Sequence, residues 1–206
     1  QALPIETLEK EESIDIVCTN EGVYALWNLL KINRFNPVAL SKVNGIGYRD
    51  FDTVKLTNPE VIVPQDRLDI DLPGYAWDLL PFKEKPFDLY RSPMWHAEYD
   101  SNNRTPYAAL QTSLGCQFKC EFCMINMINR NDNERIGVAG NYNQMRYWPT
   151  DFIIKEFDKL IEMGVRTIRI VDEMFLLNPK YYIPLCEKLA KRNKNDDLRM
   201  WAYSRI

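Results

Sequence analysis

A single histidine, no internal repeat and no low-complexity tract set the first limits on this chain of 206 residues. No apolar run approaches the roughly 18 to 20 residues that a membrane span needs. The opening stretch QALPIETLEKEE has neither a basic n-region nor an apolar h-region, so neither secretion nor membrane insertion is expected. An excess of basic charge is also missing: 26 Lys and Arg face 29 Asp and Glu, for a net charge of -3. A broad face for nucleic acid is therefore not expected. What is present is 46% hydrophobic and 12% aromatic composition, which excludes a disordered or fibrous chain. The five cysteines are odd in number and three of them crowd into eight positions, which argues against a disulfide scaffold and for a reduced, cytoplasmic compartment.

The chain opens without Met inside a helix-like stretch and closes on Ile206 just after a strand-like run, so it reads as a fragment of a longer parent. Ser13 to Cys18 give a strand signal, and Val23, Leu26, Trp27 and Leu30 recur at helical spacing after it. The stretch VNGIGYRDFDTVKLTN predicts a hairpin beginning near Gly45, with its polar turn around Asp50 to Asp52. Residues 1–58 thus read as the tail of an α/β domain. From Pro59 to Pro106 the chain carries seven of its twelve prolines and reads as an irregular, aromatic connector.

Residues 107–206 change pattern again. Tyr107 to Ser113 predict a strand that runs straight into the cysteine cluster, and a polar stretch follows from Asn129 to Asn143. Thr150 and Asp151 open a helix with Ile153, Phe157, Leu160 and Ile161 on one face and Gly164 as its stop. VRTIRIVDE is a second strand. Asn178 and Pro179 suit the cap and first turn of another helix, whose apolar stripe is Tyr182, Leu185, Cys186 and Leu189 and which Pro184 should kink or delay. RMWAYSR is a third strand. This alternation predicts a parallel sheet with functional residues at the C-terminal ends of its strands.

The sharpest feature is SLGCQFKCEFC, in which Cys116, Cys120 and Cys123 are set just after a strand. Cys116 and Cys120 are at most about 14 Å apart along an extended chain, so one loop can aim three thiolates at a single centre. Three thiolates suit a cubane iron-sulfur cluster whose fourth iron is left open to an exogenous ligand. Structural zinc is the alternative, but it needs a fourth ligand; the only histidine, His96, lies twenty residues upstream and no second CxxC pair exists. Unligated core cysteines are the other alternative, and that is the expected state of Cys18 and Cys186.

The triplet, with Phe122 before its third cysteine, resembles the signature of the radical S-adenosylmethionine superfamily. LPGYAWDLLPF, YRSPMWH, PYAALQTSLGCQFKCEFCMIN, MRYWPTDFI, IRIVDEMFLLNP and MWAYSRI resemble, in that order, its cobalamin-binding subgroup. The resemblance implies a partial TIM-like (β/α) barrel preceded by the C-terminal part of a Rossmann-like cobalamin-binding domain. It implies a [4Fe-4S] cluster on Cys116, Cys120 and Cys123, with S-adenosylmethionine chelating the open iron. Phe122 would pack near the adenine, Asp172 and Glu173 would receive the methionyl amino group, and Arg205, after Ser204, would pair with the cofactor's carboxylate. Structural roles for these residues stay open beside the functional ones: a lid for Phe122, a helix cap for one acid, an ion pair for Arg205.

The activity so implied is release of a 5'-deoxyadenosyl radical and cobalamin-dependent methyl transfer to an unactivated carbon of a small-molecule substrate. A reductant protein such as flavodoxin or ferredoxin would supply the electron. CTNEG departs from the Gly-Glu-Gly-Glu-like turn of the cobalamin-binding domain, and no cobalt-ligating histidine motif is present, so cobalamin is expected only in the parent. A tRNA methylthiotransferase and a non-catalytic iron-sulfur module for electron transfer or sensing are the alternative functions.

Overall fold

In the computed structural model the described residues are 3–81, 83–84, 107–118, 120–121, 123, 145–195 and 197–204. The expectations for Phe122, Arg205, His96 and the polar stretch 129–143 fall outside them. The chain divides into two units, one of residues 1–64 with 115–145 and the other of residues 65–114 with 146–206.

The first unit is built on a hairpin. Its elements are helix α1 (Pro4–Lys10), strand β1 (Ile16–Cys18), helix α2 (Val23–Lys31), the short helix α3 (Pro37–Leu40), and strands β2 (Ile46–Asp50) and β3 (Thr53–Leu56). Pro4 and Pro37 open α1 and α3, where the missing N–H of proline costs nothing. The β2–β3 turn is Phe51 and Asp52, with Asp50 opposite Thr53, as the polar turn predicts. Cys18 pairs with Ile46 and Ile16 with Tyr48, so the sheet runs β1-β2-β3 and is antiparallel throughout. Its core is Ala25, Leu29, Leu40, Val43, Ile46 and Tyr48.

Helix α2 differs from the face the spacing predicts. Ala25 and Leu29 are buried, whereas Leu26, Trp27 and Leu30 are exposed. The reason is a close approach: a Cβ on Gly45 would lie 3.3 Å from the Cβ of Ala25, so the helix turns its smallest residue to the chain beneath it. Apolar spacing alone does not see this, because alanine contributes little to the pattern.

In the second unit, strands β4 (Tyr107–Leu110), β7 (Thr167–Ile170) and β8 (Arg199–Ala202) form a parallel sheet in the order β4-β7-β8. The register sets Leu110 opposite Ile170 and Ile170 opposite Ala202. The two-residue strands β5 (Ser113–Leu114) and β6 (Arg146–Tyr147) make a separate antiparallel ladder. The short helix α4 (Leu68–Asp71) precedes them, and helices α5 (Thr150–Glu162) and α6 (Pro179–Ala190) connect the parallel strands. Ile153, Ile154, Phe157 and Leu160 of α5 are buried, each worth about 1.5–3 kcal/mol of burial. Gly164, at φ 89, ends that helix in the left-handed conformation that glycine adopts without penalty. The Asn178 side chain accepts from Lys180 N at 3.2 Å and so caps α6. The helix runs through Pro184, an exposed residue, without a break. The buried stripe of α6 is Tyr181, Leu185 and Leu189, while Tyr182 and Cys186 are half-buried.

The expectation of a partial TIM-like barrel preceded by a Rossmann-like domain is corrected by these sheets. Among the described residues there are two three-stranded sheets and one two-stranded sheet, and none closes on itself. Closure needs a full ring of tilted, staggered strands, which three strands cannot supply. The first unit is also antiparallel, set by a two-residue hairpin turn, where a Rossmann-like domain is parallel. Among the described residues no helix is long and apolar enough to cross a membrane.

Candidate functional site

The C-terminal ends of β4 and β7 are tied together by one carboxylate. Val171 N donates to Leu110 O at 2.9 Å, the last ladder bond, and Asp172 follows. Asp172 Oδ1 accepts from Thr112 N at 2.6 Å, and Oδ2 accepts from Thr112 Oγ1 at 2.6 Å and Ser113 Oγ at 2.7 Å. These are charge-assisted bonds of the short, strong class. The group is 1% exposed, and burial pushes its carboxyl above the ordinary range against the pull of the Thr112 and Ser113 donors.

Thr112 is the hub of this arrangement. Its carbonyl accepts from Trp148 N at 3.2 Å and from the Tyr181 hydroxyl at 2.9 Å, so its amide, hydroxyl and carbonyl are all engaged. Tyr181 packs against Tyr147 with ring centroids 4.6 Å apart and planes tilted by 45°, and burial lifts its phenol well above the usual tyrosine range.

Glu173, the neighbour of Asp172, is placed differently. It is half-buried, and its Oε2 is shielded from solvent without a hydrogen-bond partner. Burial first, and the Asp172 charge beside it, raise its carboxyl. An orphaned, partly buried carboxylate oxygen is the feature that a bound N–H donor would satisfy. Of the two acids, Asp172 is spent on the protein and Glu173 has an acceptor to offer.

At the end of β8, the Arg169 guanidinium lies 4.8 Å from the Trp201 ring centroid and 5.2 Å from that of Tyr203, and Nη2 donates to the Tyr203 hydroxyl at 3.0 Å. Such cation-π contacts contribute about 0.5–1 kcal/mol at accessible sites. Phe175 N donates to Tyr203 O at 3.0 Å, tying the chain after Glu173 to the end of β8. Ser204, after that strand, is exposed.

The cysteine segment belongs to the first unit. Gly115, at φ 88, introduces it in a conformation that suits only glycine without strain. Cys116 is buried, Cys120 and Cys123 are half-buried, and all three are free thiols. Cys123 N donates to Cys120 O at 3.0 Å, a turn that brings those two residues near one another. The donor set suits a thiophilic iron centre by its chemistry, since one loop supplies three thiols, although the carboxylate of Glu121 lies between the second and the third. The thiols are not drawn up around a point, because among the described residues no three His, Cys, Asp or Glu side chains come together so as to hold a metal ion. Cys18 is on β1 and Cys186 on α6, and burial raises both thiols, as befits inert residues.

Sequence reasoning missed Glu156, Tyr75, Trp77 and Thr112. Glu156 is 1% exposed on the buried face of α5, where its Oε2 accepts from Trp77 Nε1 at 3.2 Å and Tyr75 N at 3.4 Å, and its Oε1 meets Lys159 Nζ at 2.5 Å. The signal was legible: residues 153, 156, 157 and 160 share one helical face, and only one of them is charged. The Tyr75 hydroxyl in turn accepts from Gln111 N at 3.3 Å, at the end of β4.

No family model matches the chain. It is similar to a protein of Pyrococcus horikoshii described as an uncharacterized methyltransferase, with 26% identity over 210 residues that cover 98% of this chain. The chain spans 37% of the length of that relative.

Proposed function

We propose that the chain is part of an enzyme of the radical S-adenosylmethionine type that transfers a methyl group to carbon of a small-molecule substrate. Cobalamin as methyl carrier and a one-electron donor protein belong to the same reading. The observation that carries it is the Cys116, Cys120 and Cys123 triplet, set in sequence directly after strands β4 and β5. The similarity to a protein described as a methyltransferase supports the methyl-transfer part.

In this reading the three thiolates would hold a [4Fe-4S] cluster. The chemistry that such a group supplies when bound is one-electron reduction of the sulfonium, which breaks a carbon-sulfur bond and yields methionine and a 5'-deoxyadenosyl radical able to take a hydrogen atom from carbon. The chain's own residues bind and orient. Glu173, through the oxygen that otherwise has no partner, would offer an acceptor to an N–H of the cofactor's amino group and so recover the desolvation that its burial costs. Thr112, Ser113 and Asp172 keep the strand ends rigid, and the Trp201 and Tyr203 rings hold the Arg169 guanidinium at the end of β8.

The test is anaerobic reconstitution of the intact protein with iron and sulfide, followed by reduction in the presence of S-adenosylmethionine and assay for 5'-deoxyadenosine. Wild type and Cys186→Ala are expected to take up iron and form the product, and Cys120→Ala to lose both. Equal iron in wild type and Cys120→Ala, or zinc in place of iron, would overturn the assignment.

A further inference from the structure

Asp172 has both oxygens committed inside the protein, although it lies at a strand's C-terminal end where a ligand-binding acid is expected. We propose that Asp172 is a positioning residue: it fixes Thr112 and Ser113, through which the chain passes from β4 toward the cysteines. The importance of that passage rests on the reading of the cysteines given above; the clamp itself does not.

Strand β5 is two residues long and pairs only through Ser113 with Tyr147 and Leu114 with Arg146. A ladder so short cannot hold its own geometry. Directly after it, Gly115 adopts φ 88, so the backbone changes direction at a residue with unusually wide conformational freedom. Asp172 supplies from the side what the ladder lacks. It gathers an amide and two hydroxyls at 2.6, 2.6 and 2.7 Å, while Trp148 N and the Tyr181 hydroxyl hold the opposite edge of Thr112. Thr112, Ser113 and Asp172 are each exposed by 1% or less, so water does not compete for these bonds. A ligand's N–H would have to enter a sealed site in which both oxygens already accept.

The two roles respond differently to an amide. In Asp172→Asn the remaining oxygen keeps Thr112 N, and the new NH2 donates to Thr112 Oγ1 and Ser113 Oγ, which rotate to accept. The clamp survives without charge. An acid that received an ammonium N–H would fail on the same change, because the NH2 would face another donor.

The experiment compares intact wild-type protein with Asp172→Asn, Asp172→Ala and Ser113→Ala. It reads amide hydrogen exchange of the peptide spanning Gln111 to Cys116 in metal-free protein, iron uptake after anaerobic reconstitution, and the dissociation constant for S-adenosylmethionine. Asp172→Asn is expected to match wild type within about twofold in all three. Asp172→Ala is expected to speed exchange of that peptide by about tenfold or more and to lose most of its iron. If Asp172→Ala proves unfolded by circular dichroism, Ser113→Ala, which removes one bond of three, is expected to give a smaller acceleration confined to the same peptide. Unchanged exchange in Ser113→Ala and in a folded Asp172→Ala overturns the proposal. So does an Asp172→Asn protein that exchanges normally and holds its iron but binds the cofactor about tenfold more weakly. Should wild type take up no iron, the reading of the cysteines fails, and the exchange data still decide the clamp.

Discussion

The carboxylate of Glu156 occupies the space where a side chain on Gly74 would begin: a Cβ there would stand 2.8 Å from both Cδ and Oε1 of Glu156. Gly74 is also held at φ 97, outside the range that other residues adopt without strain. The segment that follows is fastened by the same carboxylate through Tyr75 N and Trp77 Nε1, and the two rings stack at 4.7 Å. Gly74→Ala should therefore destabilise the protein by about 2–3 kcal/mol, combining backbone strain with displacement of Glu156. Urea unfolding would check this, and a midpoint equal to wild type would show that the segment is not held as described.

Removal of Glu156 itself tests the other side of that contact. Glu156→Ala removes the acceptor that the Trp77 indole N–H and the Tyr75 amide share through two part-buried bonds, which should cost about 1–3 kcal/mol. Glu156→Gln keeps one acceptor oxygen and should cost less than half as much. Tryptophan emission should shift to the red in the alanine variant and remain near wild type in the glutamine variant. Equal losses in both would mean that the ion pair with Lys159, not the hydrogen bonds, sets the stability.

Acidification provides a third test. Burial holds the Asp172 carboxyl above its ordinary value, and Glu173 is raised by burial and by Asp172 beside it. The folded protein therefore takes up protons at a pH where the unfolded chain is still ionised. Stability from these groups is gained as pH falls and lost as pH rises through the folded values. Between about pH 8 and about pH 4, wild type should gain on the double variant Asp172→Asn with Glu173→Gln, whose amides do not titrate. Urea midpoints measured across that range would show it. A gap between the two proteins that stays constant with pH would count against raised carboxyls.

The sequence by itself determined the local pieces. Asp50 to Asp52 placed the hairpin turn, Asn178 and Pro179 placed the start of α6, and Gly164 placed the end of α5, because capping and turn chemistry act within a few residues. The alternation of strands and helices after Tyr107 likewise showed the parallel order of β4, β7 and β8. The cysteine triplet stood out by its spacing along the chain, and the Asp172 and Glu173 pair by the resemblance and by its place at the end of a strand. What only the tertiary structure decided is how far the sheets extend, which face of α2 is buried, and what each acid does. Sheet closure depends on strands meeting across long separations. The buried face of α2 depends on Gly45 admitting Ala25, twenty residues away. Asp172 and Glu173 are adjacent in sequence and chemically alike, yet Thr112 and Ser113, some sixty residues earlier, engage both oxygens of the first and leave one oxygen of the second without a partner. Burial and hydrogen bonding are set by neighbours in space, and one-dimensional order does not carry them.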